Sequence, residues 1–143
     1  MTTIESIQAL LGGEAVTGPL HSERDVDRLV RRGVPTEAVD RFLAASHLNF
    51  NLIESHVVAR RTFKRRQEAA QPLDLAESDR FVRLVRLVAA AHETLGDYGK
   101  ALAWMTRENS ALEGKTPLSL AETDLGARSV ETLLGRIGHG IAA

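Results

Sequence analysis

The sequence predicts an all-α protein. Apolar residues recur at spacings of three and four along nearly the whole chain, no segment sustains the two-residue alternation of a half-buried strand, and cap-forming residues precede several of the apolar runs. The first amphipathic stretch, Ile4 to Leu11, is closed by Gly12-Gly13. Glu14 to Leu20 then reads as a connector containing Gly18 and Pro19, which leaves the N-terminal piece free to move. A helix from about Ser22 to Arg32 opens on the box-like Ser22-x-x-Asp25 and stops at Gly33. The next starts with Pro35 at its first helical position, where a missing N–H costs nothing, and carries Val39, Phe42 and Leu43 inward. Asn51-x-x-Glu54 is the cap signal for a short helix through Ile53. A turn at about His56 to Val58 leads into a helix from Ala59 to Ala70, which Pro72 ends.

Asp74-Leu75-Ala76-Glu77 is a capping box for the longest helix. Phe81, Leu84, Val85, Val88 and Ala91 fall on one face of it, Arg80, Arg83 and Arg86 point away, and Gly96 stops it after Thr94 or Leu95. Asp97 to Met105 forms a short helix that brings Tyr98, Leu102 and Trp104 into a core. A loop with Asn109, Gly114 and Pro117, a helical piece through Leu118 and Leu120, and a last helix from about Asp124 complete the chain. Val130, Leu133, Leu134, Ile137 and Ile141 form the stripe of that last helix, and Gly135, Gly138 and Gly140 weaken its end.

Composition removes several function classes. The 143 residues suffice for one ordinary domain or two small lobes, not for a large multidomain enzyme. Without cysteine there is no disulfide, thiolate metal site or thiol nucleophile, which fits a reducing cytoplasm. No stretch approaches the roughly 20 apolar residues of a membrane span, and the N-terminus lacks the pattern of a signal peptide, so a soluble, cytoplasmic protein is expected. Aromatics at 4% argue against a base-stacking module for single strands. Net charge is -1, yet between Ala59 and Arg86 eight basic residues face four acidic ones. A nucleic-acid role therefore rests on that local excess.

The sharpest motif is Arg60-Arg61-Thr62-Phe63-Lys64-Arg65-Arg66, preceded by a short helix and a turn. In a helix-turn-helix the second helix enters the major groove, where Arg and Lys meet phosphates and guanine edges and Thr meets phosphate or a thymine methyl. The alternative is a solvated basic face; five positive charges in seven residues of a nearly neutral chain favour DNA. Catalytic readings are weaker. His92-Glu93 begins like a zinc-protease HExxH, but Gly96 occupies the place of the second ligand. His21, His47, His56 and His139 stand apart without a carboxylate or second His at ligand spacing, and no phosphate-binding or nucleophile-elbow motif occurs, so neither a catalytic residue, a metal nor a cofactor is expected. Gly138-His139-Gly140 marks either an exposed functional end or a fraying helix.

From Gly33-Val34-Pro35 onward, these residues resemble the Xre/MbcA/ParS-type antitoxins that pair with RES-domain toxins. The specific part is C-terminal: Trp104-Met105, Asn109, Leu112-x-Gly114, Thr116-Pro117, Leu120, Thr123-x-x-Gly126, Val130, Leu133-Leu134, Ile137 and Gly140-Ile141 follow the family pattern almost in sequence. Upstream, residues 60–66 resemble its recognition-helix motif and residues 74–80 its L-S-x-E-E-S-D-R. The match covers about three quarters of the chain. Glu113 stands where the family has Gly, Arg107-Glu108 replaces a Pro before Asn109, and His56 takes a turn position where a small residue is usual.

The resemblance implies an N-terminal extension (1–21), an Xre-like helix-turn-helix region that dimerises and binds its own operator (22–95), and a C-terminal helical toxin-binding domain (96–143). Operator contacts fall to Arg60, Arg61, Thr62, Lys64, Arg65 and Arg66. Toxin contacts fall to Asn109, Leu112, Gly114, Leu125, Gly126 and the tail Gly138, His139, Gly140, Ile141, Ala142 and Ala143, whose glycines let the backbone approach the partner closely. RES toxins of the family degrade NAD, so neutralisation means covering the partner's NAD pocket, and the chain itself is no enzyme and binds no small-molecule substrate or membrane. The competing reading is a stand-alone dimeric helix-turn-helix repressor; a small hydrolase is the third.

Overall fold

A computed structural model describes residues 3–140. The chain is all-α, as predicted: among the described residues no strand forms, and the single antiparallel bridge, Asn109 with Lys115, lies in a loop. It divides into two compact units, residues 1–85 and 86–143.

In the first unit, α1 (Thr3–Leu10) is not the free piece expected from its glycines, because Ile7, Leu10 and Leu11 are buried and α1 packs against α4 (Thr36–Ser46). The predicted connector contains one helical turn, α2 (Glu14–Thr17). Side chains pin it: Gln8 Nε2 donates to the Gly18 carbonyl at 2.9 Å, the fully buried Thr17 hydroxyl donates to the same oxygen, and Arg32 donates to the Thr17 carbonyl. Hydrogen bonds from neighbouring helices therefore order a segment that propensity alone leaves undetermined.

Helix α3 (Glu23–Arg32) opens as the sequence indicates. The Ser22 hydroxyl accepts from the Asp25 N–H at 3.3 Å and Asp25 accepts from the His21 N–H at 2.9 Å. That backbone bond, more than the charge of Arg28, holds the Asp25 carboxyl below the usual carboxylate range. Val26, Leu29 and Val30 form the buried stripe. Gly33 ends α3 with φ 97°, and a Cβ there would lie 2.7 Å from the Leu73 carbonyl, so both backbone angle and space demand glycine. Pro35 serves as the N-cap of α4 rather than its first helical residue, its ψ of 143° being extended. Val39 and Phe42 are buried as expected, Leu43 only partly.

Helix α5 (Phe50–His56) is capped by Asn49, not Asn51: the Asn49 side chain accepts from the Asn51 N–H at 2.8 Å. After the turn Val57–Ala59 comes α6 (Arg60–Glu68), which stops before Pro72. Ala70 adopts the left-handed conformation, Gln71 N–H donates to the Arg66 carbonyl and Ala70 N–H to that of Gln67, the paired bonds of a Schellman end. Helix α7 (Leu75–Leu95) begins with the predicted capping box, in which Asp74 accepts from the Glu77 N–H and Glu77 from the Asp74 N–H, both at 2.8 Å. Phe81, Leu84, Val85, Val88 and Ala91 are buried, but so are Val82, Leu87 and Ala89, so this helix is enclosed on more than one face. Ser78, also fully buried, accepts from the Val34 N–H at 2.9 Å and donates to the Leu73 carbonyl.

The second unit takes the rest of α7, then α8 (Tyr98–Met105), a 3-10 turn at Ser110–Leu112, α9 (Pro117–Leu120) and α10 (Asp124–Gly138). Asp97, Asn109, Thr116 and Thr123 each cap the element that follows. Trp104 is buried together with Ala101, Met105, Val130 and Leu134, whereas Tyr98 and Leu102 are only half-buried. Tyr98 stacks on His92, ring centroids 3.9 Å apart, and burial pushes its phenol pKa up. Helix α10 continues through Gly135 to Gly138 despite the poor propensity of both; Ile141 lies outside the described residues. The start of α10 fits only glycine at position 126, where a Cβ would stand 1.8 Å from the Leu120 carbonyl oxygen.

Two stability measurements test this packing. Ser78→Ala leaves the buried Val34 N–H without its acceptor, and chemical denaturation should show a loss of about 1–3 kcal/mol. Gly126→Ala forces α9 and the start of α10 apart, so the melting of the second unit should fall well below that of wild type; an unchanged melting profile would contradict the packing at this position.

Candidate functional site

The first candidate surface is built by α5, the turn and α6. Phe63 anchors α6: it is buried, and its ring lies 5.2 Å from that of Phe50 on α5. Val57 and Val58 are buried in the turn, and Arg80 on α7 donates to the Val57 carbonyl through both Nε (3.0 Å) and Nη2 (2.7 Å). Arg80 thus ties the turn between α5 and α6 to α7, a role that its place on the polar face of α7 did not reveal. His56, the last residue of α5, precedes the turn instead of forming it.

The basic residues of α6 have different surroundings. Arg61, Lys64 and Arg65 are exposed and, with Arg60, Glu54 and Glu68, line a shallow depression. Thr62 is half-buried beside Phe63 in the chain. Arg66 turns back into the fold, its side chain 19% exposed, with Nε 2.8 Å from Glu77 Oε1 and Nη2 3.2 Å from Glu77 Oε2 and 3.4 Å from Asp74. Glu77 is buried, so Arg66 supplies the countercharge that a buried carboxylate needs. Arg60 packs its guanidinium over the Phe50 ring, 4.6 Å from the centroid, beside Glu54. The first turn of α6 contains no acidic residue; Glu54 accepts from the Arg60 N–H at 3.1 Å and offsets two arginines at the positive end of the helix.

The second surface belongs to the loop after α8 and to α10. Of the residues expected to contact a partner there, several shape the backbone. Asn109 accepts from the Ala111 N–H through its side chain, and its carbonyl takes the N–H groups of Leu112 and Gly114. Leu112 is buried, Glu113 adopts φ 57°, the left-handed conformation that glycine takes most readily, and Gly126 permits the close approach described above. Leu125 is the outward residue, 75% exposed next to Gly126. Gly138, His139 and Gly140 are exposed, the His139 Nδ1 lying 2.7 Å from the Gly135 carbonyl. Ile141, Ala142 and Ala143 lie outside the described residues.

Among the described residues no cluster of His, Asp or Glu is arranged to hold a metal ion, and no helix is long and apolar enough to cross a membrane.

Comparison with known proteins matches most of each unit to a family. Residues 25–86 match the antitoxin Xre-like helix-turn-helix domain, and residues 90–140 match the antitoxin Xre/MbcA/ParS C-terminal toxin-binding domain. The antitoxin Xre of Yersinia enterocolitica is 32% identical over 114 residues, 78% of this chain and 77% of that protein. The antitoxin Xre of Pseudomonas putida is 36% identical over 84 residues, 59% of this chain and 53% of that protein, so the match spans about half its length. A more distant relative, the Prs ADP-ribosylating antitoxin of a Sphingobium strain, is 25% identical over 136 residues.

The environments of the arginines separate in a stability measurement. Arg66→Ala strands the buried Glu77 charge and should cost about 3 kcal/mol, the lower end for a broken buried pair because Arg66 retains some exposure. Arg61→Ala should stay within about 0.5 kcal/mol of wild type, as an exposed charge does. Equal losses in urea unfolding would refute the distinction.

Proposed function

The chain belongs to the Xre-type antitoxins, with a helix-turn-helix domain followed by a toxin-binding domain, and on that premise we propose that it neutralises an NAD-consuming RES-domain toxin by covering the toxin's active site and represses its own operator. The observation that carries the reading is the division of the two surfaces: a basic second helix held by an anchored turn in one unit, and in the other an exposed Leu125 at the start of α10 beside the tightly packed Gly126. A stand-alone repressor would use the second surface only to dimerise, whereas residues 90–140 match a toxin-binding domain, which favours the antitoxin reading.

On this reading Leu125 is the apolar anchor of the toxin interface, and Gly138, His139 and Gly140 with the residues beyond them approach the toxin's NAD pocket. Asn109, Leu112, Gly114 and Gly126 contribute by holding the loop and the start of α10 in the shape that presents Leu125. The chemistry is the partner's, and this chain acts as an inhibitor, not an enzyme. Operator binding uses two copies of the helix-turn-helix, because a homodimer places two second helices about one DNA turn apart. The reaction that is blocked admits a second version, transfer of ADP-ribose from NAD to a protein, which the name of the Sphingobium relative, an ADP-ribosylating antitoxin, favours. Both versions consume NAD.

The test is co-expression with the product of the neighbouring gene. The two proteins should co-purify in fixed stoichiometry, and the partner alone should consume NAD while the complex does not. Biotin-labelled NAD then separates degradation, which labels nothing, from transfer, which labels a protein. Leu125→Asp should lower affinity for the toxin at least 100-fold without changing the unfolding transition; retained protection would remove Leu125 from the interface.

A further inference from the structure

On the reading that α6 is a DNA-recognition helix, we infer that Arg60 reads a base edge and sets operator specificity, while Arg61, Lys64 and Arg65 supply sequence-independent phosphate contacts. The inference rests on how differently these side chains are held. All four side chains are exposed, but Arg61, Lys64 and Arg65 make no ion pair among the described residues and suit point-charge contact with a backbone that presents phosphates at every step. Arg60 stands in the first turn of α6, the part of a recognition helix that meets base edges, and three neighbours fix its guanidinium. The Phe50 ring supports one face at 4.6 Å, Asn51 Oδ1 accepts from Nη2 at 3.3 Å, and Glu54 Oε2 lies 3.7 Å from Nε.

That arrangement uses the Nε side of the fork. Of the five N–H donors of a guanidinium, both on Nη1 and one on Nη2 remain, the edge that binds O6 and N7 of guanine in a bidentate pair. Glu54 beside it offsets part of the Arg60 charge, so its general attraction to phosphates is weaker than that of Arg61, Lys64 or Arg65. Because the fork is already fixed, little rotamer freedom is lost when it docks. An Arg with its charge partly offset and its fork supported on one side is a weaker phosphate tether and a better base reader than its neighbours.

The experiment uses the full-length protein and a library of duplexes with a randomised core. Wild type selects a sequence, and binding is then measured against that duplex and a scrambled one across a salt series. Arg60→Lys keeps the charge but loses the planar fork; the preference for the selected duplex should fall roughly 10- to 100-fold, with the salt slope unchanged. Lys64→Ala should weaken both duplexes together and lower the slope by about 1, with the preference intact. Glu54→Gln keeps an acceptor for the Arg60 N–H but loosens the guanidinium, and should also lower the preference; a rise would mean that Glu54 competes with DNA and would overturn the support assigned to it. If Arg60→Lys selects and discriminates as wild type does, Arg60 acts as a point charge and the inference fails while the DNA-binding reading stands. If wild type selects no duplex, both fail.

Discussion

One buried carboxylate organises the first unit. Glu77 accepts hydrogen bonds from the Asp74 N–H that opens α7 and from two nitrogens of Arg66 near the end of α6. A carboxylate taken out of water must be paired or neutralised, so the position of α6 against α7 follows from the demand of that charge as much as from the burial of Phe63. The next residue, Ser78, does the same with a neutral group, holding the Val34 N–H and with it the passage from α3 to α4. Two consecutive side chains at one helix start therefore locate three other helices. Arg80, a further turn along, extends the arrangement to the turn before α6 through the Val57 carbonyl.

The second unit is organised differently, by backbone geometry at its loops. Asn109 closes a small knot with Ala111, Leu112, Gly114 and Lys115, and Gly126 lets α10 start against α9. These positions carry much of the family pattern, yet they are occupied in folding. A sequence signature of a binding domain thus records how the surface is made, and the exposed Leu125 stands beside it without a part in that construction.

Most of the fold was legible in the sequence because its signals were local. The Asp74/Glu77 box, the Ser22 cap and the spacing of Phe81, Val85 and Val88 involve residues within a turn or two of one another, and each is found as read. What was not legible depended on residues distant in sequence. Arg66 belongs to the same basic run as Lys64, and only the arrival of Glu77 sets it apart. The local spacing points to Asn51 as the cap of α5, and it is Asn49, two residues earlier, that accepts from the Asn51 N–H once the buried Leu48 fixes the entry to the helix. The ordering of α1 and α2 required Arg32 and α4, which no local window contains. The left-handed Ala70 that ends α6 offers no residue-type signal, since Ala is an uncommon choice for that position.

The placement of aromatic residues gives the molecule an optical asymmetry. The single Trp and the single Tyr, Trp104 and Tyr98, both belong to the second unit, while all four phenylalanines, at 42, 50, 63 and 81, belong to the first. Excitation at the red edge of protein absorbance therefore excites the toxin-binding half alone, and the helix-turn-helix half is dark. Backbone circular dichroism sees both. The native chain carries its own reporter for one unit, so whether the two halves unfold as one body or in sequence is readable without attaching a dye.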